Sequence, residues 1–257
     1  MSHRPGPLEP TTGAVYIVLG ATGGIGSALA ERLASGGARL ILAARNQERL
    51  GELAASLDAQ PYVLDATRFD EVERCVSQVM QAHGRVDGIA NCVGSVLLKP
   101  AHLTSEDEFD ETLALNLRSA FAVVRAGTRA MTKTGGSIAL VSSAASRVGL
   151  VNHEAIAAAK GGINGLVLSA AATYARYGIR VNAVAPGLVR TSQTERITAN
   201  EASERASIDM HALGRLGEPE DVASVIAWLL DPGNDWVTGQ VLGIDGGLST
   251  VRPRMKA

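Results

Sequence analysis

Short apolar runs alternate along the chain with longer segments whose apolar residues recur at helical spacing. The runs predict strands at 14–20, 39–44, 60–64, 86–91, 137–142, 180–184 and 240–244. The segments between them predict helices at 25–35, 47–57, 69–82, 105–131, 152–174 and 218–230. In the third helix, for example, Val72, Val76 and Val79 share one face. Because strands that alternate with helices form parallel sheets covered on both faces, we expect one doubly wound α/β domain with about seven strands.

Composition and charge narrow the classes to which this chain can belong. Its 257 residues are 46% hydrophobic, which suits one domain with a single core, predicted over 13–257. The net charge of -2 and the pI of about 6.2 argue against a nucleic-acid partner or an anionic membrane. No window approaches the roughly 18 unbroken apolar residues of a membrane helix. Residues 1–12 hold three prolines and no apolar run, so we expect a flexible N-terminal tail there and not a signal peptide.

Cysteine and histidine usage points away from disulfides and metals. The two cysteines, Cys75 and Cys92, are far apart in sequence, which argues against a disulfide framework and favours the reducing cytoplasm. The five histidines show no paired spacing typical of metal ligands, so we expect no structural metal.

A glycine-rich turn joins the first predicted strand to the first predicted helix. It reads Gly20-Ala21-Thr22-Gly23-Gly24-Ile25-Gly26. Glycine permits a tight turn in which backbone N–H groups approach a pyrophosphate, while the helix N-terminus faces the anion. Ordinary strand-to-helix turns also use glycine, but the strand before and the helix after favour a dinucleotide site.

The spacing Gly20-x-x-x-Gly24-Ile25-Gly26 differs from the ordinary Rossmann spacing and resembles that of the short-chain dehydrogenase/reductase family. Further segments match the family in order over about 13–247. They are Asp65 after the third strand, Asn91-Cys92-Val93-Gly94, Asn116 in the long helix, Val141-Ser142-Ser143, Arg180 to Gly187, Gly217 to Ala223, and Asp245-Gly246-Gly247. Two departures are Leu19 in place of the usual threonine and Cys92 in place of an asparagine.

The resemblance implies a Rossmann-type domain that binds a nicotinamide dinucleotide. The residues expected to bind it are Gly20, Thr22, Gly24, Ile25, Gly26, Arg45, Asp65, Asn91, Gly94, Lys160, Pro186, Gly187 and Thr191. Ala44 stands where NAD-specific members have an aspartate, and Arg45 is suitably placed to bind a 2′-phosphate. The alternative for Arg45 is a solvated surface side chain, but the uncharged Ala44 independently favours NADP(H).

The resemblance also assigns a catalytic set with one position changed. Ser143 would bind a substrate carbonyl oxygen, Lys160 would hold the cofactor ribose, and Asn116 would support the lysine. The family's proton-donating tyrosine should lie four residues before Lys160 and thirteen after Ser143, and both counts reach Ile156. Isoleucine cannot donate a proton, and general acid catalysis contributes typically about 10²–10⁴-fold. Ordinary ketone reduction is therefore expected to be slow unless another group replaces the tyrosine.

His153 is the candidate replacement. It lies seven residues before Lys160, the spacing at which enoyl-carrier-protein reductases of the same superfamily place their tyrosine. Dienoyl-CoA reductases also have no tyrosine at the position of Ile156. Histidine titrates near neutral pH and could protonate an oxygen or an enolate. The alternative is that His153 only caps the helix or lines a loop.

Two further segments bear on the substrate and on assembly. Residues 190–215 resemble the family's variable substrate lid, and their mixed charge identifies no substrate. The helix after Ile156 is rich in alanine and glycine, and the family uses this helix and the Asn116 helix as a dimer face, so we expect a homodimer or homotetramer. Burial of these small residues against the chain's own sheet is the alternative.

These features support two hypotheses of different kinds. The first is an atypical NADP(H)-dependent oxidoreductase that acts on a small carbonyl or enoyl substrate, acyl thioesters included. The second is a cofactor-binding protein of the same fold with little redox activity, which regulates, scaffolds or catalyses a non-redox step. Hydride transfer from NADPH distinguishes them.

Overall fold

The computed structural model of the chain describes residues 13–252, so the tail predicted at 1–12 lies outside the described residues. Within that range seven parallel strands form one sheet in the order β3-β2-β1-β4-β5-β6-β7. The strands are β1 Val15–Leu19, β2 Arg39–Ala44, β3 Gln60–Val63, β4 Gly88–Asn91, β5 Gly136–Val141, β6 Ile179–Pro186 and β7 Val241–Ile244. The order reverses between β1 and β4, and the doubly wound fold is therefore confirmed.

The helices cover both faces of this sheet. They are α1 Gly24–Ser35, α2 Gln47–Ser56, α3 Phe69–His83, α4 Glu106–Leu113, α5 Ser119–Met131, α6 Glu154–Tyr174, α7 Glu195–Thr198, α8 Glu201–Met210 and α9 Pro219–Leu230. Successive strand residues alternate between two apolar layers: Ile17 packs in the layer that contains α3, α5 and α6 residues, whereas Tyr16 and Val18 pack with α1 and α9. The inner strands β1, β2, β4, β5 and β6 are buried on both faces, which explains their nearly unbroken apolar sequences, whereas the edge strand β3 is largely exposed.

The helix predicted over 105–131 is interrupted in the middle. Ser105 and Glu108 form a capping box that starts α4, and a π-helical turn, Ala114–Arg118, separates α4 from α5. This turn contains Asn116, whose side-chain amide donates to the Thr112 carbonyl at 2.9 Å. The sequence pattern could not show this turn, because one extra residue in a helical turn leaves the apolar periodicity on either side nearly intact. Such π-turns frequently occur at functional sites.

The predicted lid, 190–215, contains two helices that the sequence analysis did not predict. Asn200 starts α8 by accepting hydrogen bonds from the backbone N–H groups of Ala202 and Ser203. Both helices are short and carry few apolar residues, so their periodicity is weak. The lid therefore has a defined fold over the carboxyl edge of the sheet.

Helix α6 buries part of the small-residue surface predicted to face a partner. Ala159, Ala170 and Ala171 are buried, and the two latter residues lie in the core beneath the sheet. Ala158, Gly165 and Ala172 are exposed on the other side. Residues 154–177 are also long and apolar enough to cross a membrane by composition, but Ile163 and Val167 of this segment pack in the domain core.

Candidate active site

Two adjoining cavities open at the carboxyl edge of the sheet. The first has a volume of about 590 Å³ and is lined by Gly20, Thr22 and Gly23, by the end of β2 and by Asp65. We call it the glycine-turn cleft. The second, of about 560 Å³, is lined by Lys160, Ser143, His153 and the lid; we call it the lysine cavity. Cys92, Val93, Gly94 and Gln193 line both. The parallel strands bring these sequence-distant residues together, because their carboxyl ends meet at one edge.

The glycines of the first turn are required by close backbone contacts. Gly20 has a φ of +74°, and a Cβ there would lie 2.8 Å from the Cys92 carbonyl carbon and the Val93 nitrogen. A Cβ on Gly26 would overlap the Gly20 carbonyl oxygen, and one on Gly24 would lie 2.7 Å from Thr191 Cγ2. Gly20 and Gly26 therefore let the turn pack closely against neighbouring backbone beside the start of α1, where helix N–H groups favour an anion.

The far end of the glycine-turn cleft carries two arginines. Arg45, predicted to bind a 2′-phosphate, lines the cleft, and Arg49, which was not predicted, lines it from α2. Asn46 caps α2 by accepting from Arg49 N–H at 2.9 Å, and the Arg49 guanidinium donates to the Thr22 carbonyl at 3.1 Å. The signal available for Arg49 was its place in the first turn of the helix that Asn46 caps, close after Arg45.

Asp65 lies on the same wall as these arginines. Its carboxylate accepts from the Thr67 backbone at 2.9 Å and from the Thr67 hydroxyl at 2.8 Å. Burial opposes ionisation of this carboxyl, but the Thr67 hydrogen bonds and the charges of Arg45 and Arg68 outweigh it, so the pKa is lowered. Asp65 is therefore an anionic hydrogen-bond acceptor within the cleft.

Lys160 lies where the two cavities meet. Its side chain is buried, and its amine donates to the Val141 carbonyl at 2.7 Å. Burial lowers the pKa of this amine to about 8, and Cys92 counteracts only part of that effect. In turn, burial raises the pKa of the Cys92 thiol to about 12, so it stays protonated beside the lysine. A buried amine of this kind can switch between charged and neutral forms near physiological pH.

Asn91 and Asn116 lie behind the cavity walls. Asn91 donates to the Ser119 hydroxyl at 3.2 Å and accepts from Val93 N–H at 3.2 Å, so it shapes the turn after β4. Asn116 accepts from Ser95 N–H at 3.2 Å. A Cβ on Gly94 would lie 2.9 Å from Asn116 Oδ1 and 3.3 Å from Lys160 Nζ, so Gly94 separates these two side chains. Neither asparagine lines a cavity.

Ser143 and its neighbour Ser142 have different surroundings. Ser143 lines the lysine cavity, and its hydroxyl accepts from Ala145 N–H at 3.1 Å. Ser142 is buried in a polar network, where its hydroxyl contacts the Lys160 carbonyl at 3.1 Å and Asn164 Oδ1 at 2.7 Å. Ser142 thus holds the helix that carries Lys160, and Ser143 alone of the two retains a hydroxyl hydrogen for a ligand in the cavity.

Ile156 and His153 line the same cavity as Lys160. Ile156 lies one helical turn before Lys160 and is only 3% exposed, and its aliphatic side chain forms part of the cavity wall. His153 is the last residue before α6, and its Nδ1 lies 2.7 Å from the Val151 carbonyl. In the neutral ring this contact requires a hydrogen on Nδ1, which leaves Nε2 as the second site for a proton. His153 occupies the N-cap position of α6 without a side-chain capping hydrogen bond, and its ring contacts the preceding loop, as in the alternative of a loop-lining residue.

The segment after β6 completes the cavity. Pro186, Gly187 and Thr191 line it, and Gly187 is held against His211 of the lid, whose Nε2 accepts from Leu188 N–H at 3.1 Å. His211 Nδ1 lies 2.7 Å from the Ser207 carbonyl, so this buried ring links α8 to the loop after β6. Gln193, another residue missed from the sequence, donates to the Gly94 carbonyl at 2.9 Å and joins the lid to the β4 turn.

No group of three or more His, Cys, Asp or Glu side chains suited to a metal occurs within 13–252. A glycine turn, a helix N-terminus and a buried lysine at the carboxyl edge of a doubly wound sheet are typical of Rossmann-type nucleotide-binding proteins.

Comparisons with known proteins narrow this class. A family model described as enoyl-(acyl carrier protein) reductase matches residues 20–249. The chain is 36% identical over 244 residues to the 3-oxoacyl-(acyl-carrier-protein) reductase FabG of Thermotoga maritima, covering 92% of this chain and 98% of that protein. It is 35% identical over 252 residues to a 2,5-dichloro-2,5-cyclohexadiene-1,4-diol dehydrogenase of Sphingobium indicum, covering 95% and 100%.

Solved structures agree with these relatives. A short-chain type dehydrogenase/reductase from Mycobacterium ulcerans superposes with a TM-score of 0.91 at 30% identity, covering 96% of this chain and 93% of that one. The chain belongs to the short-chain dehydrogenase/reductase family of oxidoreductases.

Proposed function

We propose that this protein is an NADP(H)-dependent oxidoreductase acting on a small carbonyl or enoyl substrate, with an altered proton source. The observation that carries the proposal is the position of Lys160, whose buried amine joins a glycine-lined cleft to a cavity containing Ser143 and His153. When bound, NADP(H) would supply or accept the hydride. The protein's own residues then have to hold the cofactor, orient the substrate and supply the proton.

The cleft suits a nicotinamide dinucleotide. Gly20, Gly24 and Gly26 lie where a Cβ would collide with the protein, and without side chains at these positions the backbone N–H groups of the turn can approach a pyrophosphate closely. Thr22, Ile25 and Asp65 lie on the walls, and Gly94, Pro186, Gly187 and Thr191 continue towards the lysine. Asn91 supports this surface from below through its bond to Val93 N–H. These residues constitute the proposed cofactor site.

Preference for NADP(H) over NAD(H) rests on charge at the end of β2. Arg45 and Arg49 present two guanidinium groups there, and Ala44 adds no carboxylate that would repel a 2′-phosphate. Calorimetric titration should show tighter binding of NADPH than of NADH. Ala44→Asp should invert the preference, whereas Ala55→Asp, exposed on α2 outside the cleft, should leave it unchanged. Equal or tighter binding of NADH by the unaltered protein would contradict this part of the proposal.

Proton supply is assigned to His153, with Ser143 binding the substrate oxygen. The hydrogen on Nδ1 is engaged by the Val151 carbonyl, so a donated proton would leave from Nε2 of the protonated ring. Lys160 would hold the cofactor ribose as a cation, and Asn116 would position it through the Gly94 segment. His153→Ala should lower turnover by roughly 10²-fold while NADPH affinity is retained.

The test is NADPH oxidation across ketones, ketoacyl thioesters and enoyl thioesters. His102→Ala removes an exposed histidine outside the lysine cavity and is the matched control. Loss of turnover in His153→Ala alone would support the assignment, and equal rates in both variants would remove His153 from the mechanism. If no substrate of any class oxidises NADPH, the second function is the better one. That function, cofactor binding with little redox activity, is favoured by the aliphatic wall at Ile156.

The proposal also includes a cytoplasmic location and a homodimer or homotetramer. Both cysteines are free thiols, as in a reducing compartment. The exposed face of α6 carries Ala158, Gly165, Leu168 and Ala172, small or apolar residues that suit close contact with a second copy. Light scattering at micromolar concentration should give two or four times the monomer mass of 26.6 kDa.

A further inference from the structure

The wall of the lysine cavity is almost free of charge. Of the described residues that line it, Lys160 alone is a lysine, arginine, aspartate or glutamate. That amine lies at the end shared with the glycine-turn cleft, within reach of Gly94. Away from this end the wall is mostly aliphatic, with Val96, Leu98, Leu150, Val151, Ile197 and Met210. A carboxylate or phosphate placed there would lose its hydration without gaining a charged partner.

The opening of the cavity is mostly apolar as well. Six of its described lining residues are exposed to solvent. Two of them are Gly149 and Gln193, and the other four are large apolar residues: Val96 exposed by 37%, Leu98 by 41%, Val151 by 84% and Met210 by 49%. Because each residue both lines the cavity and faces solvent, together they form its rim. Single exposed apolar residues need no explanation, but a cluster around one opening marks a binding surface.

This rim is built from segments that are bonded to one another. Lys99 N–H donates to the Asn152 carbonyl at 2.8 Å, which joins the Leu98 loop to the Val151 loop. Met210 precedes the buried His211, whose two ring nitrogens are both engaged by backbone groups. The charge of Lys99 is engaged by Glu108 at 2.7 Å. The rim therefore presents apolar side chains on an ordered support.

We propose that the substrate is a neutral, lipophilic carbonyl compound or enone, whose body fills the lysine cavity and whose apolar end lies against the rim. This inference rests on the proposed function for the identity of the reacting group, but the binding surface does not depend on hydride transfer. It distinguishes among the substrates that the proposed function leaves open, because it disfavours molecules with an anionic group at the end away from the carbonyl.

Binding can be tested separately from turnover. The probes are straight-chain methyl ketones of increasing length and keto acids of matching length with the carboxylate at the far end, titrated by calorimetry into the protein loaded with NADP⁺, which cannot reduce them. Affinity for the ketones should rise up to about fourfold for each added methylene, the gain expected from burying one CH₂ group. Each keto acid should bind at least roughly tenfold more weakly than its ketone. Affinity that does not depend on length, equal binding of the acids, or no binding by any ketone would overturn the proposal.

The rim is tested by Val151→Lys, with Val63→Lys as the matched control. Val63 is also an exposed valine, at 51%, but it lies on the edge strand β3 outside the lysine cavity. Val151→Lys should remove the gain for the longest ketones and leave the shortest unaffected, while Val63→Lys should change neither. An unaltered length dependence in Val151→Lys would overturn the assigned rim. Ketones that bind as expected but are not reduced would contradict the proposed redox function and would still support this class of ligand.

Discussion

Replacing Ile156 with tyrosine tests whether one residue limits the chemistry of this site. Ile156 and Lys160 are four residues apart on α6, so their side chains lie on one face of the helix, and both line the lysine cavity. A phenol at this position would have the Lys160 amine and the Ser143 hydroxyl as neighbours. The positive charge of Lys160 would lower the pKa of that phenol and favour proton exchange.

The expected gain follows from general acid catalysis. A positioned proton donor contributes about 10²–10⁴-fold, or roughly 3–5 kcal/mol of barrier. Ile156 is 3% exposed, so the larger side chain has to extend into the cavity of about 560 Å³. If instead it were forced into the packed core, overpacking would cost roughly 1–3 kcal/mol of stability. Ile156→Tyr should therefore increase ketone reduction by about 10²-fold or more with a small change in melting temperature.

The assay is steady-state NADPH oxidation with ketones, alongside thermal unfolding and NADPH titration. Ile156→Phe is the control, because it adds the aromatic ring without the hydroxyl. A gain in Ile156→Tyr that Ile156→Phe does not reproduce, and that Lys160→Met abolishes, would support the reasoning. An equal gain in Ile156→Phe would show that ring shape is responsible. A folded, NADPH-binding Ile156→Tyr protein that reduces no ketone would show that the cavity has diverged at more than this position.

Three further predictions concern the cofactor site and the fold. Burial lowers the pKa of Lys160 to about 8, and the proposed cationic contact needs the proton, so NADPH affinity should fall above that pH by up to about tenfold per unit. Fluorescence titration should show this fall in the unaltered protein and none in Lys160→Met. Gly26→Ala should reduce both stability and NADPH binding, because its Cβ would overlap the Gly20 carbonyl oxygen, whereas Gly51→Ala, which meets open space in α2, should do neither. Ala171→Glu should unfold the domain, because it buries an unpaired charge. Ala172→Glu is exposed on α6, so this variant should stay folded and change only the mass measured by light scattering. Equal melting temperatures of the two variants would contradict this assignment of faces.

The last of these predictions shows a limit of the sequence pattern. Alanine and glycine are so frequent in α6 that no apolar stripe distinguishes the face packed on the sheet from the face in solvent. Ala171 and Ala172 are adjacent and chemically identical, but only Ala171 points towards the core. Packing therefore determines which face of α6 is buried, because the residues around this helix differ too little in polarity for the sequence to predict it.

The strand order along the chain, most of the helices and the glycine turn after β1 could be predicted from residues near one another in sequence, whereas the assignment of Ile156 to the family's tyrosine position stays a prediction. Buried parallel strands need continuous apolar runs, and the turn after β1 needs glycine wherever backbone approaches backbone, as at Gly20 and Gly26. Counting from Ser143 and Lys160 also reached Ile156 without coordinates. These features are local, so the order of residues is sufficient to determine them.

Only the tertiary structure decided which distant groups share a surface. It brought Arg49 to the cleft that Arg45 lines, joined Gln193 of the lid to Gly94, and placed Asn116 in a π-turn behind the wall. It also arranged the apolar rim, whose members come from two separate loops and the end of α8. Contacts across a sheet edge depend on strand order and helix packing, and a single sequence contains no direct record of either.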